Sequence, residues 1–441
     1  MQQISRRRLL QYGASLSAVA ALPWTAPALA NLAEADYSPR ESLPVLDLDV
    51  EASLVGGRLI TKGEDYRTMA KGAVIMVPAG ADIPAFWWAM KITRGHAIEP
   101  GARFILRGAD KNRRSTLAVP ANQGLLNLIN YSDTPVSMEL ENLSLKAGKG
   151  GDALRLSGPD HVRLTNVRVE GGKNGIFAPT HPLDLEMYGC EVLHSGDGSG
   201  LTHNVYLNYT RSVIIRDCRF HSPRAQGHVF KSYAQHMDVR NSYFSHYETP
   251  QDLQKGFYGE LPVLDRGAWG STIAVGNTFV RRGPARDVVI DVRNRAFPPG
   301  YSKYIRPGWG TTPVDYHLVD NRDSQNPHLF HHLFYKNTII NGVMPDQTLD
   351  PAIVRSPGAF VRNNGSTPWD AHYPSKPEKQ PAPADFLPRN ERAVVYLAGN
   401  KVNGMQFRNY YKASPFGEDA IKTPIIDLKQ LPPWLKEWAK V

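Results

Sequence analysis

The sequence predicts an all-β chain, a single-stranded, right-handed parallel β-helix solenoid with long loop insertions and short capping helices. Three observations carry that expectation. First, an Asn or Asp followed by a short apolar-alternating run recurs through the chain: Asn142-Leu-Ser-Leu, Asn166-Val-Arg-Val, Asp217-Cys-Arg-Phe, Asn241-Ser-Tyr-Phe, Asn277-Thr-Phe-Val, Asn337-Thr-Ile-Ile and, more weakly, Asn400-Lys-Val-Asn. Two intervals are 24 residues (166 − 142 and 241 − 217). A period of roughly 20 to 50 residues marks a solenoid, whose repeats bury their apolar faces only by stacking. Second, short period-two strands surround these units, among them Ala153-Leu-Arg-Leu, His161-Val-Arg-Leu, Ser212-Val-Ile-Ile and Met237-Asp-Val-Arg, broken by Gly, Pro, Asn or Asp every few residues. Third, no helix of ordinary length interrupts residues 136–248. Strands recurring once per coil stack in parallel about 4.8 Å apart. An Asn at the turn then adopts the left-handed conformation and bonds its neighbour's amide along the stack. The competing architecture is a β-sandwich or propeller with Asn-rich turns.

In chain order, residues 1–30 read as a signal peptide. Ser5-Arg6-Arg7-Arg8-Leu9-Leu10 resembles the twin-arginine export signal, followed by a weakly apolar stretch from Tyr12 to Leu22 and an Ala28-Leu29-Ala30 cleavage pattern. That stretch is too short to span a bilayer, so no integral membrane segment is expected after signal removal. The mature chain is expected to start near Asn31, outside the cytoplasm, in the periplasm or secreted. Residues 31–70 form a loose lead-in. The β-helix domain takes residues 71–365, with a first coil from Gly72 and a short helix over Ile83–Ile92 closing its open end, since a bare end exposes core and strand edges. Within it, Thr249–Arg266 and Arg293–Pro327 are long insertions, the usual place for function on a rigid scaffold. Residues 366–441 hold the last coil, an extended Pro-rich segment, and a short helix at Leu431–Val441 that packs on the solenoid. With 441 residues, 41% hydrophobic content, 37 Gly and 34 Pro, the chain has both the core and the turns for one long monomeric solenoid.

Charge bears on the partner. The formal +9 loses Arg6, Arg7 and Arg8 with the signal, leaving 9 − 3 = +6. A moderate positive surplus outside the cytoplasm favours an acidic polysaccharide. No basic run with interleaved aromatics argues for nucleic acid. The two cysteines, Cys190 and Cys218, each follow a turn position, which puts them in adjacent rungs at a spacing that permits a disulfide, with stacked buried thiols the favoured state for a chain that folds before export. No Cys/His spacing suits zinc, no cofactor is implied, and the acids Asp184, Glu186, Glu191, Asp197, Asp217 and Asp238 form no obvious ladder for calcium.

The densest reactive cluster occupies two successive coils. His194, Asp197, His203, Asn204 and Tyr206 lie in one; Arg224, His228, Lys231 and Tyr233 in the next. Counting 13 residues back from Asp217 and Asn241 stacks Asn204 on His228 and Leu207 on Lys231. A one-residue slip instead pairs His203 with His228 and Tyr206 with Lys231. Either register draws these side chains to one groove suited to β-elimination on a uronate. Arg224 neutralises the carboxylate, because a guanidinium fork matches it bidentately. Lys231 or His228 is the base, and Tyr206 or His203 the proton donor. Asn204, His194 and Asp197, with Trp269 and Trp309 in the insertions, are expected to bind substrate, the indoles by stacking on sugar rings.

The span from about 70 to 345, with His203-Asn-Val-Tyr-Leu followed one coil later by Gly227-His-Val-Phe-Lys-Ser, resembles the β-helix proteins of the pectate-lyase-like superfamily. The resemblance implies glycan handling by lyases, hydrolases or epimerases. Of the four motifs that polygalacturonase-like hydrolases share, only a partial Gly-His-Gly is present, at Gly227-His228-Val229. Hydrolysis by the carboxylate pair Asp197 and Asp217 is therefore the runner-up, and a non-catalytic polysaccharide-binding role the third possibility.

Overall fold

Three strands per coil follow from the alternation, because each run of three to seven residues sends every second side chain inward and ends at a residue that leaves the extended region. The computed structural model describes residues 37–56, 58–84, 88–119, 123–179, 183–208, 210–224, 226–234, 236–267, 271–281, 289–293, 331–341, 359–363, 394–403, 406–409 and 436. Its strands form three all-parallel sheets, the arrangement of a parallel β-helix. The first has eleven strands, from Val45–Asp47 to Val394–Ala398; the second has ten, from Trp88–Ile92 to Gln406–Asn409; the third has ten, from Asp82–Pro84 to Lys401–Asn403.

Register aligns the inward residues into rows. In the third sheet Leu117, Leu145, Val169, Val192, Phe220, Phe244 and Phe279 are successive partners and all buried. Phe220 stacks on Phe244 at 4.9 Å and Phe244 on Phe279 at 5.0 Å, with the rings nearly parallel. Each fully buried Phe contributes about 1.5–3 kcal/mol.

The turn between the first and third sheets sharpens the expected Asn ladder into two. Asn142, Asn166, Asp217 and Asn241 have φ between 51° and 55° and occupy the left-handed position; Asn166 Nδ2 donates to Asn142 Oδ1 at 2.9 Å. In later coils Gly276, Lys336 and Gly399 take that position. Asn277, Asn337 and Asn400 therefore fall one residue later. Asn277 N–H donates to Asn337 Oδ1 at 2.8 Å and Asn337 N–H to Asn400 Oδ1 at 2.9 Å. The same buried file continues backward through Ser242, Cys218 and Cys190. Cys190 and Cys218 are buried free thiols in adjacent rungs, the Cys190 N–H lying 3.3 Å from Cys218 Sγ, and burial raises the Cys218 thiol pKa above its ordinary value.

Two expectations need correction at the N-terminal end. The stretch expected as a helix over Ile83–Ile92 is instead two strands, Asp82–Pro84 and Trp88–Ile92, with Trp88, Met90 and Ile92 buried on one face. Apolar residues two apart suit a strand, and stacking decides for it. The cover comes from the lead-in, which is structured over its described part: helix α1 (Val50–Gly56) and Tyr66 pack against the end of the core. Further out, Tyr37 stacks on His161 at 5.2 Å and Arg40 pairs with Glu139 and Glu141, sealing a charged row of the first sheet. No described helix is long and apolar enough to cross a membrane. Helix α2 (Pro250–Gln254), with Thr249 and Asp252 forming a capping box, belongs to the 246–263 loop. Residues 1–30, Trp269, Trp309 and the Leu431–Val441 helix, of which only Lys436 is described, lie outside the described residues.

Candidate functional site

Outward residues of the second sheet form one row. Arg155, Phe177, Tyr206, Lys231 and Asp265 are successive register partners across five strands. The register is thus the slipped alternative: Tyr206 pairs with Lys231, and Val205 with Phe230. Stacking Asn204 on His228 and Leu207 on Lys231 fails because residues 208–211 link Val205–Leu207 to the next strand, while only 233–235 do so one coil later. One extra residue in the link shifts the whole strand by one.

Side-chain geometry follows the row. The Arg155 guanidinium lies 5.0 Å from the Phe177 ring, Phe177 lies 5.4 Å from Tyr206, and Lys231 Nζ lies 5.0 Å from the Tyr206 centroid and 5.8 Å from that of Tyr233. Tyr206 and Lys231 are half-buried. Behind them the histidines are deep. His228 Nδ1 donates to Pro262 O at 3.0 Å, since a carbonyl can only accept, and Nε2 faces Asp265 Oδ2 at 3.3 Å. Its backbone N–H donates to His203 Nδ1 at 3.1 Å, which fixes His203 as the neutral Nε2–H tautomer. Burial, then the His228 and Lys231 charges, hold His203 well below the ordinary histidine pKa. Its Nε2 is buried with no hydrogen-bond partner among the described residues, and His203 as a whole is closed off from the groove.

Asp265 is the residue missed by sequence reasoning. It is fully buried at 0% exposure, yet it lies in the Leu264–Gly267 strand, inside the stretch read as an insertion. The 34-residue step from Phe230 to Leu264 hid its equivalence to Lys231. The clue was the period-two pattern of Val263-Leu-Asp-Arg-Gly.

Other expected site residues are placed elsewhere. Asn204 is buried and spent on the scaffold: Oδ1 accepts from Ser195 N–H at 3.1 Å, while Nδ2 donates to Val192 O and His221 O. Asp197 is exposed, held in its own turn by Ser199 N–H and Thr202 Oγ1. It lies in the loop between the third and second sheets, and Asp217 in the turn between the first and third, so the structure does not bring this carboxylate pair together. His194 sits in a clasp on the same loop side. Nε2 meets Asp252 Oδ1 at 2.9 Å, Nδ1 meets Glu170 Oε1 at 3.5 Å, and the ring stacks on Phe257 at 4.3 Å. Arg224 covers the Phe257 ring at 4.8 Å and donates from Nε to Gly196 O at 3.0 Å. Gly196 has φ +114°, and a Cβ there would come within 3.0 Å of Arg224 Cβ. The terminal nitrogens of Arg224 make no hydrogen bond among the described residues.

Loops 194–204, 222–229 and 246–263 all run from the third sheet to the second. The arrangement offers a cation, a phenol and a buried His–Asp pair, and the Arg224 guanidinium belongs to the loop that leads into the Lys231 strand. Among the described residues no group of three or more His, Cys, Asp or Glu is placed to hold a metal ion. Scans of protein-family models, of curated proteins and of solved structures find no match to this chain.

Proposed function

We propose that this chain is an exported, polysaccharide-active protein of the pectate-lyase-like superfamily, a lyase that cleaves an acidic, uronate-containing glycan by β-elimination. The carrying observation is the half-buried Tyr206–Lys231 pair, backed by the buried Tyr233 ring, beside the buried His228–Asp265 pair. Lys231, as the free amine, takes the proton from the carbon next to the carboxylate. That electron pair forms the carbon–carbon double bond as the glycosidic C–O bond breaks, and the Tyr206 phenol protonates the leaving oxygen. Arg224 meets the carboxylate with its terminal nitrogens. His228 and Asp265 hold the floor of the groove, and the deep burial of both favours this positioning role over the base role considered for His228 from sequence. Export by the twin-arginine route rests on Arg6, Arg7, Arg8 and the Ala28-Leu29-Ala30 pattern.

The test is incubation with alginate, pectate and hyaluronan, following the ultraviolet absorbance of an unsaturated uronide. Lys231→Ala and Lys231→Arg should each lower turnover about 10²–10⁴-fold, the range a positioned base supplies, with unchanged thermal unfolding. Wild-type turnover in both variants would remove Lys231 from the chemistry. A second reading, hydrolysis by two carboxylates, is favoured by one observation: Asp291 is the register partner of Asp265, about 4.8 Å along the stack. New reducing ends without the absorbance, lost in Asp291→Asn, would select it.

A further inference from the structure

The third sheet carries a pocket of about 450 Å³ on its outer face, away from the second-sheet row. Its floor is a register row, Thr116, Ser144 and Arg168, one residue per rung. Its rim is the 109–114 loop, which brings Lys111 and Arg114 over the row. The guanidinium of Arg114 is fixed in place: Nε and Nη2 donate to Asn166 Oδ1 at 3.0 and 2.7 Å. Asn166 is fixed in turn, donating from Nδ2 to Lys111 O at 2.7 Å and to Asn142 Oδ1. Arg114 Nη1 is left without a hydrogen bond among the described residues, and neither Arg114 nor Lys111 makes an ion pair there.

Acids are held outside. Among the described residues no carboxylate lines the pocket. Arg168 is already paired with Glu191 and Glu170. Asp110 turns back to accept from Asn112 N–H at 2.8 Å. Two uncompensated cations, one of them pre-positioned, thus stand over two hydroxyls that rotate to donate. That is the complement of an oxyanion, because charge-assisted donors from a planar fork bind carboxylate, sulfate or phosphate most strongly. The volume falls within the range of small-ligand pockets, about 300–1,000 Å³. We propose that this pocket is an oxyanion site for a small acidic ligand, independent of the second-sheet groove.

The test is equilibrium titration of the full chain with inorganic phosphate, inorganic sulfate and glucuronate in turn, at constant ionic strength in chloride. Saturable binding of at least one is expected, weakened tenfold or more by Lys111→Ala and by Arg114→Ala. Arg114→Lys keeps the charge but loses the fork and should bind with intermediate affinity. Lys111→Ala keeps the backbone carbonyl to which Asn166 donates, so it remains informative if Arg114→Ala loosens the turn. Lys231→Ala should leave binding unchanged, which separates this site from the proposed lyase groove. Tightest binding of glucuronate over the inorganic ions would assign a sugar acid, and the reverse a free ion. Absence of saturable binding to all three, or equal binding by wild type, Lys111→Ala and Arg114→Ala, would overturn the proposal.

Discussion

At the scale of the residue, Asn337 does more than an Asn in a turn usually does. It is fully buried, accepts through Oδ1 from the Asn277 N–H and Nδ2, and donates from Nδ2 to Ala274 O and Asn400 Oδ1. Asn337→Leu keeps the volume and strands the Asn277 amide. The expected cost is roughly 2–5 kcal/mol, at about 1–3 kcal/mol for each buried group left unpaired, read as a lower urea midpoint with an unchanged m-value. Asn241, exposed at φ +51°, carries conformation alone. Asn241→Gly should leave the midpoint nearly unchanged, because glycine accepts that φ freely. The sequence pattern merges these two kinds of Asn because it begins on the Asn and carries no record of the preceding φ. Gly276 and Gly399 were the legible clue; Lys336, in the same position at φ +52°, gave none.

At the scale of the element, the loop bearing α2 is held by charge. Burial alone would lower the His194 pKa, but hydrogen bonds with Glu170 and Asp252 outweigh it and hold the imidazole above its ordinary value. Glu170 is lowered to about 2, first by its hydrogen bond with His194 and despite burial. Burial would raise Asp252, yet His194 and the Thr249 and Ser222 bonds keep it below the usual range. His221 sits edge-on to His194 at 6.5 Å, Arg168 pairs with Glu170, and Arg224 lies across Phe257. A raised histidine contributes stability below its unfolded pKa, about 6.5, and loses it as pH rises through the folded value. A lowered carboxylate contributes above its unfolded pKa and loses it as pH falls, for Glu170 between 4.5 and about 2. The clasp is therefore strongest from about pH 5 to 6.5. Amide exchange in residues 246–263 should accelerate from pH 6 to 8 beyond the intrinsic rate, and Asp252→Asn should remove most of that extra acceleration. An unchanged profile in Asp252→Asn would assign the loop's order to packing of Phe257 instead.

At the scale of the whole molecule, the parallel solenoid was legible because turn chemistry and period-two alternation repeat together. What was not legible was phase. Links between strands differ by single residues, as at 208–211 against 233–235, and each difference reverses which side chains face out. Stacking resolves the phase, since only one register buries Val205, Phe230 and Leu264 together. It also dictates how stability is shared. In a stack, each rung depends on its two neighbours and on little else. Phe244 is the middle of the ring stack between Phe220 and Phe279 and also meets Phe230 edge-on at 6.0 Å. Phe244→Ala should cost about 3–5 kcal/mol through the cavity left behind. Tyr243→Ala, which removes an outward ring and its cation–π contact with Arg219, should cost about 1 kcal/mol or less. Hydrogen exchange on Phe244→Ala should lose protection first in Arg219–His221, Tyr243–Ser245 and Thr278–Arg281, while Ala102–Gly108 and Val136–Glu141 stay close to wild type. A uniform loss across all these strands would mean that the chain unfolds as one cooperative block and that nearest-neighbour stacking does not set its stability.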